Sequence, residues 1–79
     1  MYLQQASSYA VEVPIFKEFH KNVIGKGGTT IRKIRDETET KIDLPSSNDN
    51  SNIIVITGKK ANVEEARSRI EAIQKELVS

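Results

Sequence analysis

Val23-Ile24-Gly25-Lys26-Gly27-Gly28-Thr29-Thr30-Ile31 is the stretch on which the reading of this chain turns. Upstream of it, Phe16, Phe19, His20 and Val23 recur at steps of three and four residues, the spacing of one helix face. Downstream, Ile31 and Ile34 share a face while Arg32, Lys33, Arg35 and Asp36 point largely outward, so a second helix follows. The glycines between them end one helix and begin the next, since glycine readily takes the positive φ of a helix end. Either Gly28 or Thr29 can cap the second helix. Amide donors and the positive end of the helix dipole then face whatever approaches the turn, and Lys26 adds a charge at its tip. Two readings stand at this point: a plain helix-to-helix turn, and a seat for a phosphate. A P-loop is excluded, because it needs Gly-Lys-Ser/Thr after four intervening residues, and a dinucleotide fingerprint needs a strand directly upstream.

Working outward, Tyr9, Val11, Val13 and Ile15 alternate with Ala10, Glu12 and Pro14, the period of a half-buried strand that Pro14 closes. Thr38 and Thr40 end the second helix. Residues Lys41 to Leu44 alternate again, with Ile42 and Leu44 on one side, until Pro45. The polar run Ser46 to Asn52 reads as an exposed loop, and Ile53-Ile54-Val55-Ile56 as a β-branched strand closed by Gly58. These two strands are expected to pair as an antiparallel hairpin. Val63, Ala66, Ile70, Ile73 and Leu77 then step along a final amphipathic helix. The order is βααββα, and each helix has only one apolar stripe. The expected fold is therefore α+β, a three-stranded antiparallel sheet with three helices packed on one face.

A chain of 79 residues without cysteine has room for one domain, and no disulfide or thiolate metal site can staple it. That domain is expected over residues 9–79, with residues 1–8 a linker left from a longer chain. No stretch approaches the roughly 18 apolar residues that span a bilayer, so no membrane insertion is expected. The expected setting is intracellular, in the cytoplasm and open to the nucleus. Net charge is only +1, but its distribution is uneven. Lys17, Lys21, Lys26, Arg32, Lys33 and Arg35 face the single acid Glu18 between Ile15 and Arg35. His20 is the sole histidine, and Asp36, Glu37 and Glu39 read as solvated charge at a helix end. No enzyme, metal or cofactor is expected from these residues.

The central stretch resembles the VIGxxGxxI core of K-homology (KH) domains, with Gly25 and Gly28 at the motif's two glycines. The resemblance runs on through Thr40-Lys41-Ile42-Asp43-Leu44-Pro45, Ile54-Val55-Ile56-Thr57-Gly58 and the last helix, and so covers nearly all of Tyr9 to Leu77. The order of elements is that of the type I form. The wording Phe-His-Lys-Asn-Val-Ile-Gly-Lys-Gly-Gly is similar to one repeat of a many-domain member. The resemblance implies a single-stranded RNA or DNA partner, about four nucleotides long, clamped along its backbone by the loop Gly25-Lys26-Gly27-Gly28. It implies a floor of Ile24, Ile31 and Leu44, with Ile42 beside or beneath them. Lys26 and Arg32 would meet phosphates, Arg35 and Lys41 would read base edges, and Lys21 and Asn22 would line the approach. Lys21 departs from the pattern, for many members keep a small residue there. Ordinary core is an equal reading for Ile34 and Ile42. Neighbouring KH repeats are the other implied partners, and a protein-interaction repeat with little affinity for nucleic acid is the alternative function. Four aromatics, all within the first nineteen residues, cannot build the stacking platform of an RRM.

Overall fold

The structure is a computed structural model that describes residues 9–46 and 48–78, so the linker expected over residues 1–8 lies outside it. Tyr9–Pro14 forms strand β1, and Pro14 ends it. A 3-10 turn, Lys17–Phe19, leads into helix α1, His20–Ile24. A second 3-10 turn, Lys26–Gly28, joins it to α2, Thr29–Thr38. Strand β2 is Lys41–Asp43, β3 is Ile53–Gly58, and α3 runs over Lys60–Val78. The βααββα order and the α+β class are those read from the sequence.

β3 is the central strand, with β1 and β2 antiparallel on either side. Val11 and Ile42 both stand opposite Ile56, and Val13 stands opposite Ile54. Side chains alternate across a strand, so this register puts Val13, Ile42, Ile54 and Ile56 on one buried face. Glu12, Lys41 and Asp43 leave on the other, exposed face. The helices supply Val23, Ile34, Val63, Ala66 and Ile70 to the same core. Each large aliphatic side chain there contributes about 1.5–3 kcal/mol of transfer free energy, which is the main source of stability in a chain without disulfides.

His20 is a core residue. Its Nε2 lies 2.9 Å from the carbonyl of Ile15, and because a carbonyl only accepts, Nε2 carries the proton. The ring thus ties the end of β1 to the start of α1. At the other end of α2, Glu39 takes a left-handed conformation with φ 53°, and its amide donates to the Arg35 carbonyl. Thr38 Oγ1 donates to the Ile34 carbonyl at 2.6 Å and lies 2.8 Å from Thr40 Oγ1, both hydroxyls being buried.

Three expectations are corrected. Phe16 precedes the helix whose inner face it was expected to share, and it is 56% exposed. Leu77 keeps the spacing of the α3 stripe but is exposed, because the helix has run past the sheet by then. β2 ends at Asp43, so Leu44 packs on the core from the segment beyond the strand.

Candidate nucleic-acid interface

The turn between α1 and α2 is built from its own backbone. The Gly25 amide donates to the Lys21 carbonyl at 2.9 Å and closes α1, while the Gly28 amide donates to the Gly25 carbonyl at 3.1 Å. The Thr29 amide returns to the Lys26 carbonyl, and Thr29 Oγ1 donates to that same oxygen at 3.0 Å. None of these bonds uses the amides of Lys26 and Gly27, at the tip of the turn. Gly28, in a left-handed conformation, is the residue that caps α2, and no side chain bonds there.

The glycines divide their work. Gly25 has φ 78° and ψ 172°, and a β-carbon on it would meet Thr30 Oγ1 at 2.3 Å and the Thr30 amide nitrogen at 2.9 Å. Its bareness lets the first turn of α2 close on α1. Gly27, at φ 64°, and Gly28, at φ 79°, both face open space for 4 Å around that position. They are the points at which another backbone has room to approach. Thr29 and Thr30 complete the turn; the sequence offers Thr29 as an alternative cap to Gly28, and does not single out Thr30. A hydroxyl residue at a helix start is the only signal they give.

Around the turn, Lys21, Asn22, Lys26, Arg32 and Arg35 are exposed, and so is Lys41 on β2. Ion pairs among the described residues join Arg67 to Glu64 and Arg69 to Glu37 and Glu65, so the cations beside the turn are not neutralised by them. Ile24 is 37% exposed at the end of α1, and Ile31 and Leu44 are half-buried against the core. These three offer apolar surface, Ile24 and Ile31 on the helices that flank the turn and Leu44 just beyond β2. Ile42 and Ile34 are buried core residues, so Ile42 lies beneath that surface and not in it. Lys41 is not brought to the helical side by its backbone. It alternates with Ile42 and leaves β2 on the open face of the sheet, at an edge strand. No group of three His, Asp or Glu side chains among the described residues is placed to hold a metal.

Comparison with known proteins agrees with this architecture. Vigilin of Homo sapiens is 64% identical over 73 residues, which are 92% of this chain and 6% of that protein. The chain therefore spans a small fraction of the length of such relatives. The solution structure of the first KH type I domain of human vigilin superposes with a TM-score of 0.87 at 36% identity, covering 98% of this chain and 82% of that one. The fourteenth KH type I domain of the same protein gives 0.83 at 32%, covering 99% and 83%. Residues 10–72 match the family described as KH domain, and on fold, motif and relatives together this chain belongs to the KH domain family.

Proposed function

We propose that residues 9–79 form a non-catalytic module that binds single-stranded nucleic acid, RNA or DNA, by clamping its backbone at Gly25-Lys26-Gly27-Gly28. The observation that carries this reading is the tip of the turn, where the exposed Lys26 and the amides that the turn's capping bonds do not use meet open space at Gly27. Phosphate oxygens are acceptors only, so bare amides and a lysine ammonium suit them. Arg32 stands one helical turn into α2 and serves a second phosphate. Bases lie on Ile24, Ile31 and Leu44, since aliphatic surface holds a flat ring without selecting it. Arg35 and Lys41 supply hydrogen-bond donors to base edges, with Lys41 reaching around the edge of β2. Lys21 and Asn22 border the entry, and the long Lys21 narrows the room for a base where a small residue would leave it.

The test is a charge reversal at the turn. Lys26→Asp together with Gly27→Asp puts two carboxylates where phosphate must approach. The double variant should lose oligonucleotide binding and keep its fold, at a cost of about 1 kcal/mol for an aspartate at positive φ. Lys26→Asp alone carries no such strain and should still weaken binding markedly. Affinity for short randomised RNA and DNA oligomers, read beside thermal unfolding, decides the matter. A double variant that melts normally and binds like the parent removes the turn from the interface.

A further inference from the structure

At one end of the molecule lies an apolar surface that the proposed nucleic-acid site does not use. Of the four large apolar side chains exposed among the described residues, Phe16, Leu77 and Val78 belong to this end. The Phe16 amide donates to Gln74 Oε1 at 2.8 Å, and Leu77 and Val78 stand three and four residues further along α3, on the same face. Phe16 leans edge-on against Phe19, with ring centroids 6.0 Å apart. Beside it opens a pocket of about 140 Å³ lined by Pro14, Ile15, Phe16, Asn52 and Gln74. That volume is close to the ~150 Å³ that accommodates a benzene ring. The acceptor oxygens of the wall are already engaged. Ile15 donates to the Asn52 carbonyl at 2.9 Å, and Lys17 donates to Asn52 Oδ1 at 3.0 Å. What remains facing outward is a ring, a hole beside it and two aliphatic side chains.

We propose that this end docks against a second KH domain of the same polypeptide, with the Phe16 ring of one domain seated in the pocket of the other. A protruding ring and a hole on the same surface make a self-complementary contact, which suits a partner of the same fold. Three exposed side chains fall far short of the roughly 1,200–2,000 Å² that a free complex buries, so the partner must be tethered. The relatives supply such a tether. Human vigilin carries a fourteenth KH domain, and this domain matches 6% of its length, so fourteen of them fill roughly four-fifths of that chain and the connections are short. Short connections hold neighbours at millimolar effective concentration, where a small patch is enough.

The test joins two copies of the 79-residue chain head to tail through a flexible Gly/Ser linker and compares amide relaxation with that of one copy. Docked copies should tumble as a single particle of double mass, with amide shifts confined to residues 15–19, 52 and 74–78. Phe16→Ser with Leu77→Ser in both copies should restore the tumbling of independent domains. Oligonucleotide affinity of the single chain should stay unchanged, which separates this surface from the glycine turn. Leu77→Lys alone repeats the test without touching the turn before α1, should the double variant melt early. Independent tumbling of the parent tandem overturns the proposal, as does docking that survives the substitutions or shifts that fall on the open face of the sheet.

Discussion

A methyl group would have different consequences at Gly25 and Gly27, although both residues have positive φ. At Gly27 the cost is conformational alone, because no atom lies within 4 Å of the added carbon. Gly27→Ala should lose about 1 kcal/mol. At Gly25 the backbone sits in a region that only glycine enters freely, worth about 1–3 kcal/mol, and the new carbon would also strike the backbone nitrogen of Thr30. Gly25→Ala should therefore lose more than about 2 kcal/mol and carry the loop's geometry away with it. Urea unfolding of the two variants checks the order, and equal losses would contradict the packing assigned to Gly25. The sequence announces the glycines, since nothing else tolerates three such positions in four residues. It does not say which glycine is packed and which is open. That division depends on where the first turn of α2 comes to rest.

Between elements, the tie from α2 to β2 passes through two buried hydroxyls. Thr38 spends its one hydrogen on the Ile34 carbonyl, so Thr40 must be the donor to Thr38 Oγ1. Thr38→Val strands the Thr40 hydroxyl in the core and should cost about 1–3 kcal/mol. Adding Thr40→Val removes the stranded group, so the double variant should cost less than the sum of the singles. A thermal-melt double-mutant cycle reads this directly. On the outer side, Arg69 of α3 bonds Glu37 of α2, and Glu65 holds the same guanidinium at 3.0 Å. The hydrogen bond from Arg69, with the charges of Arg69 and Lys33 adding to it, holds the Glu37 carboxyl below its usual 4.5. A depressed folded value means the contribution is present above the unfolded value and lost as pH falls through the folded one. Glu37→Gln should thus be less stable than the parent near neutrality, by a small margin for so exposed a pair, and the difference should shrink as acid protonates the carboxylate. Melts from neutral pH into acid give the answer. The helices that meet here were legible from periodicity, because Val63, Ala66 and Ile70 repeat as a core stripe must. The positions of Phe16 and Leu77 were not, because spacing alone does not reveal where a helix begins relative to the sheet or where it outruns it.

For the molecule as a whole, the proposed footprint of about four nucleotides would bring only about three phosphates to the surface. With a single-strand slope near −0.7 for each phosphate neutralised, the logarithm of affinity should fall against that of salt with a slope of roughly −1 to −2. Titrations at several salt concentrations test this, and a flat response would mean that Lys26 and Arg32 meet no phosphate. The order of elements and the β2–β3 hairpin could be read from alternation and breakers alone. That β3 lies in the middle could not, because alternation marks a strand without naming its neighbours. The central place of β3 has a consequence in time. Its partner β2 is joined to it by the short segment 44–52, whereas β1 is separated from it by the whole of residues 15–52. Closing the longer loop costs more entropy, so the hairpin should form before β1 arrives. The first of the three strands in the chain should therefore be the last to join, and until it does the flank of β3 would lie open. In a row of such domains, the β1 of a neighbour would compete for that flank, and strand exchange between adjacent repeats is the misfolding to look for.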